Sequence, residues 1–98
     1  MRVEIAAEAE ADLDAIAEYI ATDNADRALD FVRELREACE RIAVFAKRFP
    51  LVREDDQTQI RKVNYRKYLI FFQIEQETVY VINILHAATD HQSRLLGE

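Results

Sequence analysis

The sequence predicts an α+β domain in which a short strand and an antiparallel helical hairpin precede a three-stranded antiparallel meander that forms one sheet. Apolar residues recur with the period of a helix through the first half of the chain and with the period of a strand after residue 58. The 98 residues include one glycine and one proline, which leaves little room for long irregular loops. A chain of this length is expected to form a single domain over residues 1–98.

The first two elements are a short strand and an amphipathic helix. Polar and apolar residues alternate over residues 2–5, as they do in a strand. Between about residue 6 and residue 23 the apolar side chains share one helical face, formed by Ala9, Leu13, Ile16, Ala17 and Ile20. Carboxylates cover the other faces. We interpret spaced pairs such as Glu8 with Asp12 as solvated surface and not as acid–base pairs.

A second, longer helix is predicted over residues 25–49. Its apolar stripe continues for about six turns and consists of Ala28, Phe31, Val32, Leu35, Ala38, Cys39, Ile42, Phe45, Ala46 and Phe49. Asp23 or Asn24 caps its start, and Pro50 ends it because the residue before a proline is pushed out of the α region. The connection to the first helix is short, so the two helices should be antiparallel neighbours.

Strands are predicted for the rest of the chain after a polar connection at residues 51–58. They span residues 59–63, 68–74 and 78–86. A bend is expected at residues 64–67 and a hairpin loop at residues 75–77. The last two strands are apolar on both faces and should therefore be central; an exposed apolar face would mark a partner site. Residues 89–96 could form one short terminal helix.

Net charge limits the function classes that fit this chain. The formal net charge is −6, which argues against phosphate-driven nucleic-acid binding, so no direct DNA binding is expected. Residues 1–40 carry 12 acidic and 4 basic side chains, a net of −8, whereas residues 41–74 carry 8 basic and 3 acidic side chains, a net of +5. This distribution predicts a basic face on an acidic body, although solvated surface on unlike elements explains it equally well.

Motifs for cofactors, metals or targeting are not found. The only glycine is Gly97, so there is no glycine-rich phosphate loop, and no cofactor is expected. His86 and His91 are five residues apart, with Asp90 beside the second, a spacing that disfavours a helical metal pair; no metal is expected. The single cysteine, Cys39, fits a reducing compartment and is interpreted as a small buried hydrophobe. Because no signal peptide or membrane span is recognised, a cytoplasmic location without membrane association is expected.

One segment combines cations and aromatic rings in an unusual way. It contains Arg61, Lys62, Tyr65, Arg66, Lys67 and Tyr68. Such a mixture can stack bases and bind phosphates, or it can bind an acidic peptide through charge-assisted hydrogen bonds. It is also typical of an edge strand that cations protect against aggregation. His86 ends a predicted central strand and can equally be a structural histidine.

The order of motifs along the chain resembles a known family. Residues 9–20 are similar to an A-x-x-D-L-x-x-I-x-x-Y-I helix that follows a short strand. A second helix, a Phe-Pro pair, an arginine-bearing strand, a tyrosine-rich strand and a strand that ends in His come next. Their counterparts are residues 28–35, 49–50, 60–63, 68–72 and 81–86, with Asp90 after the last. Over nearly its whole length the chain therefore resembles the RelE/ParE superfamily of toxins from type II toxin–antitoxin systems.

The resemblance implies a toxin that is neutralised when the C-terminal segment of a cognate antitoxin folds onto it. RelE-like members cut mRNA on the ribosome, whereas ParE-like members are associated with inhibition of DNA gyrase. Leu69 stands where the RNA-cutting branch has arginine, which favours the ParE-like branch and a protein target over enzymatic activity. Two alternatives stay open, namely an endoribonuclease that uses Arg61, Arg66 and His86, and a non-toxic interaction module. The residues expected to bind the antitoxin or the target are Arg61, Lys62, Tyr65, Arg66, Lys67, Tyr68, Phe72, His86 and Asp90.

Overall fold

The computed structural model describes residues 1–88 and has the predicted α+β architecture, with a helical hairpin against a five-stranded sheet. Two helices, α1 (Ala7–Ala21) and α2 (Ala25–Ile42), follow the first strand. The strands are β1 (Arg2–Ile5), β2 (Leu51–Glu54), β3 (Gln59–Tyr65), β4 (Tyr68–Glu75) and β5 (Thr78–His86). The terminal helix expected at residues 89–96 and the candidate residue Asp90 lie outside the described residues.

The sheet is mixed, and its meander has one strand more than the sequence predicted. The strand order is β1-β5-β4-β3-β2, with β1 parallel to β5 and every other neighbouring pair antiparallel. The prediction of a connection at residues 51–58 was wrong for its first four residues, because Leu51–Glu54 pairs with β3. Two apolar residues followed by two charged ones do not alternate, so no strand period marks this segment in the sequence. The expectation of a central position for the last two strands is confirmed, because β4 and β5 each have a strand on both sides.

The second helix is shorter than its apolar stripe suggested. It ends at Ile42 and not at Phe49, because the following residues bond three residues back, with the Val44 amide donating to Arg41 and the Phe45 amide to Ile42. One turn of 3₁₀ helix, Ala46–Arg48, comes next. Ala46 is buried and Phe49 packs against the core, so the apolar period continues although the α-helix has ended. The predicted cap is confirmed at Asn24, whose side chain accepts from the Arg27 amide at 3.0 Å.

Two tight turns connect the last three strands without a glycine. Arg66 at the β3–β4 turn has φ 54°, and Gln76 and Glu77 at the β4–β5 turn have φ 48° and 64°. In the β4–β5 turn both central residues have positive φ, the geometry that suits the twist of a two-residue hairpin. The strands extend into the regions predicted as bend and loop, so that β3 reaches Tyr65 and β4 reaches Glu75. β5 has the predicted bounds.

The main core lies between the helical hairpin and one face of the sheet. It includes Leu13 and Ile16 of α1, Leu35 of α2, and Ile70 and Phe72 of β4. A second, smaller cluster consists of Ile60, Leu69, Phe71 and Leu85, with Ile82 against it. Successive strand residues point to opposite faces, so this cluster lies on the face away from the helices. Both faces of β4 and β5 are therefore buried, as their sequences predicted.

Candidate functional site

The candidate site lies where α1 crosses the free side of β5. Since β1 ends at Ile5 opposite Val81, residues 82–86 have no neighbouring strand on that side among the described residues. The Ala6 amide closes the strand pairing with a hydrogen bond to the Val81 carbonyl, 2.9 Å long. Beyond this point the chain turns into α1, which covers the end of β5 instead of a strand.

Asp12 takes the place of the missing strand partner. Its Oδ2 accepts from the Ile84 amide at 2.8 Å and from Asn83 Nδ2 at 3.3 Å. A buried amide without a partner costs free energy, so this carboxylate satisfies a donor that β1 is too short to reach. The interpretation of Asp12 as solvated surface was therefore wrong. Its helical spacing from Glu8 gave no sign of a contact with a strand more than seventy residues away.

A groove of about 570 Å³ lies between α1 and the ends of β4 and β5. Its walls are Asp12, Ala15, Ile16, Tyr19, Lys67, Tyr68, Ile84, Leu85, His86 and Ala88. Tyr19 projects from α1 with 76% of its surface exposed, so little of this ring contributes to the core. Sequence analysis did not single out Tyr19; the available signal was its place off the apolar stripe of α1. The groove offers exposed aromatic surface next to hydrogen-bonding groups.

Tyr68 lines this groove and packs against two other rings. Its ring centroid is 5.5 Å from that of Phe31 and 5.3 Å from that of His86, which meets it edge-on at 85°. Burial, with a smaller contribution from Tyr19, raises the pKa of the Tyr68 hydroxyl. The hydroxyl therefore stays protonated at neutral pH and can donate or accept a hydrogen bond.

His86 ends β5 with its ring exposed at the rim of the groove. Its Nδ1 accepts from the Ala88 amide at 3.1 Å. In the neutral ring the proton is consequently on Nε2, which leaves one donor available to a partner. The His86 ring is thus held by the edge-on contact with Tyr68 and by the hydrogen bond from the Ala88 amide.

The β3–β4 turn is fixed to α2 by one carboxylate, Glu34. Its oxygens accept from Arg27 Nη1 at 2.7 Å and from the Tyr65 hydroxyl at 2.9 Å, and Arg66 Nη2 lies 3.7 Å away. The hydrogen bond from Arg27, followed by that from Tyr65, lowers the pKa of Glu34. Tyr65 and Arg66 therefore serve to hold the turn in place. Lys67 is exposed at the groove, and its side chain has no ion pair in the described part of the chain.

Arg61 does not line the groove, and its side chain has a structural role. Its Nη1 donates to the carbonyls of Phe49 at 2.6 Å and Lys47 at 3.2 Å, which ties the 3₁₀ turn to the sheet. Arg61 pairs with Phe72 and His86 pairs with Tyr68. Those β4 residues are four apart, or about 13 Å along a strand. The alternative catalytic set of Arg61, Arg66 and His86 is therefore not gathered around one point.

Two further predicted binding residues do not face the groove. Lys62 pairs with Phe71 and points to the sheet face away from the helices. Phe72 is completely buried and meets Phe49 edge-on at 5.9 Å. The binding role predicted for Phe72 does not fit this position, because its ring has no surface to offer. Of the predicted residues, the structure brings together Tyr65, Arg66, Lys67, Tyr68 and His86.

Metal and thiol chemistry receive no support from the described residues. Within residues 1–88 no group of three or more His, Cys, Asp or Glu side chains is arranged to hold a metal ion. Cys39 is buried between the helices and the sheet, and burial raises the pKa of its thiol to about 12. A thiol in this state is a poor nucleophile. Within residues 1–88, neither α1 nor α2 has the length and apolar character of a membrane-spanning helix.

Comparisons with known proteins agree with the shape of this fold. The family described as "ParE toxin of type II toxin-antitoxin system, parDE" matches residues 3–91. A solved structure titled "Chromosomal ParDE TA system from P. aeruginosa" superposes with a TM-score of 0.72 at 20% identity. The match covers 88% of this chain and 95% of the other. At 20% sequence identity, this superposition shows that the two chains share a fold and nothing further. A comparison with curated proteins found no match.

Proposed function

Because the chain belongs to the ParE toxin family of type II toxin–antitoxin systems, we propose that it is a toxin that acts by binding a protein and is held inactive by a cognate antitoxin. The target proposed by family analogy is DNA gyrase. The antitoxin is a second protein whose C-terminal segment orders itself on the toxin surface. The proposed site of action is the cytoplasm.

One observation carries the choice of protein binding, namely the open aromatic groove between α1 and the ends of β4 and β5. Exposed tyrosine is enriched at protein interfaces because a rigid ring supplies contact area and its hydroxyl supplies a hydrogen bond. Tyr19, Tyr68, His86 and Lys67 present such groups along one surface. We propose that this surface contacts the protein target.

The geometry gives less support to RNA cleavage. In-line cleavage needs a base, an acid and a cation within hydrogen-bond reach of one phosphate. Arg61 is engaged with two backbone carbonyls and lies far along the sheet from His86. Leu69, the residue at the position where the RNA-cutting branch has arginine, is buried on the opposite face. The observations therefore favour binding over catalysis.

Two measurements test the proposal: cell growth during expression of the chain, and DNA supercoiling by purified gyrase. Induced expression of the chain alone should stop growth, and co-expression with the product of the reading frame next to its gene should restore it. The purified chain should inhibit supercoiling by gyrase. Tyr19→Ala should weaken this inhibition about tenfold or more, because it removes a central aromatic contact. Leu29→Ala is the matched control, since Leu29 is also an exposed apolar side chain on a helix but lies outside the groove.

Three results would contradict the proposal. Normal growth during expression without the antitoxin would favour a non-toxic interaction module. Unchanged supercoiling over a wide range of toxin concentration would remove gyrase as the target. Cleavage of mRNA on translating ribosomes, lost in His86→Ala, would replace protein binding with endoribonuclease activity.

A further inference from the structure

We propose that the groove between α1 and the ends of β4 and β5 selects an apolar carboxylate, and that its occupant is a segment of the target protein in which an aromatic or aliphatic side chain stands next to Asp or Glu. This inference rests on the proposed function, because it takes the occupant from the target. It adds the chemistry that the groove recognises and the residues that recognise it.

One part of the groove is apolar and belongs to the packed interior. Ile16, Ile84 and Leu85 line it and are 8%, 2% and 3% exposed, so the fold holds these side chains in place. Tyr19 on the same wall is 76% exposed and adds an aromatic ring. The volume of about 570 Å³ lies within the range of small-ligand sites and accommodates one large apolar side chain.

Hydrogen-bond donors are gathered at the other end of the groove, beside the β3–β4 turn. His86 pairs with Tyr68, and the Ala87 amide donates to the Lys67 carbonyl at 2.8 Å, so these residues are neighbours. Lys67 offers an ammonium group and Tyr68 a hydroxyl that stays protonated at neutral pH. His86 offers Nε2–H, because its Nδ1 accepts from the Ala88 amide. One cation among three donors favours an oxygen anion over a neutral or cationic group.

The carboxylate on the groove wall lies away from these donors. Asp12 is the only acidic side chain among the described residues that line the groove, and it accepts from the Ile84 amide and from Asn83 Nδ2. Ile84 precedes His86 by two residues, which is about 7 Å along β5. Lys67 forms no ion pair with another residue of the described chain. Its ammonium group is therefore open to a carboxylate from another molecule.

The open shape of the groove favours a protein segment over a free metabolite. Tyr19, Lys67 and His86 are exposed, so a ligand lying between them keeps one side in water. A small molecule binds best where most of its surface is enclosed, whereas a segment of a protein gains further contacts around the groove. The chain has a formal net charge of −6, but residues 59–74 contain four cations and no carboxylate. An acidic segment is therefore attracted to this end of the sheet.

NMR titration of the labelled chain with phenylpropionate tests the chemistry of the groove. This probe joins one ring to one carboxylate and should shift the signals of Lys67, Tyr68 and His86. Its dissociation constant should be on the order of 1 mM, as expected for a ligand of this size. Phenylpropanol and phenylpropylamine carry the same ring without the negative charge and should bind about fivefold more weakly.

A lysine pair provides the matched variants for this titration. Lys67→Met removes the charge but keeps an apolar stem, and should reduce the affinity for phenylpropionate to that for phenylpropanol. Lys47→Met makes the same change at an exposed lysine outside the groove and should bind the probe as the wild type does.

Inhibition of gyrase supercoiling tests the protein as the source of the carboxylate. Lys67→Glu should weaken inhibition about tenfold or more, because it places a second carboxylate against the acidic segment. Lys67→Arg keeps the charge and should retain most of the inhibition, and Lys47→Glu is the control outside the groove. Added salt should weaken inhibition by the wild type more than inhibition by Lys67→Met.

The outcomes separate this inference from the function on which it rests. Equal affinity for the three probes would overturn the selection of a carboxylate. Weaker inhibition by Tyr19→Ala together with unchanged inhibition by Lys67→Glu would leave the proposed function intact and overturn this inference. A wild-type chain that does not inhibit gyrase would overturn both the function and the target segment. Displacement of phenylpropionate by a single-stranded oligonucleotide, lost in Lys67→Met, would replace the protein segment with nucleic acid.

Discussion

At the scale of single residues, Asp12 shows how one carboxylate can stand in for a strand. β1 pairs with β5 only as far as Val81. Beyond that point the Asp12 carboxylate accepts the hydrogen bond from the Ile84 amide. The same side chain orients Asn83 and forms part of the groove wall. A residue of α1 thereby fixes the position of the helix on the sheet and the width of the groove at once.

Removal of this carboxylate should destabilise the fold. We expect Asp12→Ala to lower the free energy of unfolding by about 1–3 kcal/mol, because the buried Ile84 amide loses its acceptor. Asp12→Asn retains an acceptor oxygen and should lose less. Urea unfolding measures the difference, and Glu18→Ala on an exposed position of α1 is the control. Equal stability of the Asp12→Ala and Glu18→Ala variants would show that the contact contributes nothing.

The Cys39 thiol should not react with thiol reagents in the folded protein. Burial raises its thiol pKa from an ordinary 9.0 to about 12, so thiolate is scarce at pH 8 and the side chain is also inaccessible. A chromogenic disulfide reagent should react only after denaturant is added. Rapid reaction under native conditions would contradict this assignment.

The same shift has a consequence for alkaline stability. A raised pKa means that the neutral thiol is favoured in the folded state. Its contribution is complete below the ordinary pKa of 9.0 and is lost as pH rises towards about 12. Cys39→Ala should therefore show a smaller loss of stability between about pH 8 and about pH 11 than the wild type does.

At the scale of elements, Glu34 couples α2 to the turn between β3 and β4. It receives hydrogen bonds from Arg27 of its own helix and from Tyr65 of β3, and it lies near Arg66 in the turn. The left-handed backbone of Arg66, with φ 54°, is held next to this carboxylate. The position of this β3–β4 turn places Lys67 and Tyr68 in the groove.

This coupling should depend on pH in the acid range. The pKa of Glu34 is lowered in the folded state, so its contribution is present above the unfolded pKa of about 4.3 and is lost as pH falls through the folded value. Glu34→Gln should flatten the dependence of stability on pH below about pH 5. Thermal unfolding at a series of pH values measures this, with Glu37→Gln as the exposed control on α2. Identical slopes for both variants would refute the coupling.

Helices and strands were predicted correctly where apolar residues recur with a clear helical or strand period. β5 was predicted with its observed bounds because nine mainly apolar and β-branched residues stand between two turns. The end of α2 was placed too late because Ala46 and Phe49 continue to face the core after the helical hydrogen bonds have changed. β2 was missed because its four residues are defined by pairing with β3 and show no strand period of their own.

The candidate site was predictable only where its residues are adjacent in sequence. Interleaved rings and cations at residues 65–68 identified the turn that borders the groove. Arg61 and Lys62 belonged to the same sequence pattern, but strand alternation sends them to opposite faces. Tyr19 and Asp12 reach the groove from α1. The place of Tyr19 off the apolar stripe indicated an exposed ring, but nothing local indicated which strands either residue would lie against.

At the scale of the whole molecule, stability should be distributed unevenly across the sheet. β4 and β5 are paired on both sides and buried on both faces, whereas β2 has one neighbour and two exposed apolar side chains. Elements with few buried contacts open locally, and central strands exchange only when the domain unfolds.

Native-state hydrogen exchange should reveal this hierarchy. Amides of Ile70, Phe72 and Val81 should exchange with one common free energy that matches global unfolding. Those of β2 should exchange with a distinctly smaller free energy. Uniform protection of β2 and β5 would contradict the hierarchy, and with it the description of β2 as an open edge.

The parallel pairing of the first strand with the last determines when the molecule becomes complete during its synthesis. β1 has no neighbour until β5 has been made, which takes several seconds at roughly 5–20 residues per second. The groove needs His86 and therefore also forms last, whereas the β2–β3 hairpin emerges earlier. The order in which the ribosome delivers these strands therefore leaves the groove incomplete until the last strand has been made.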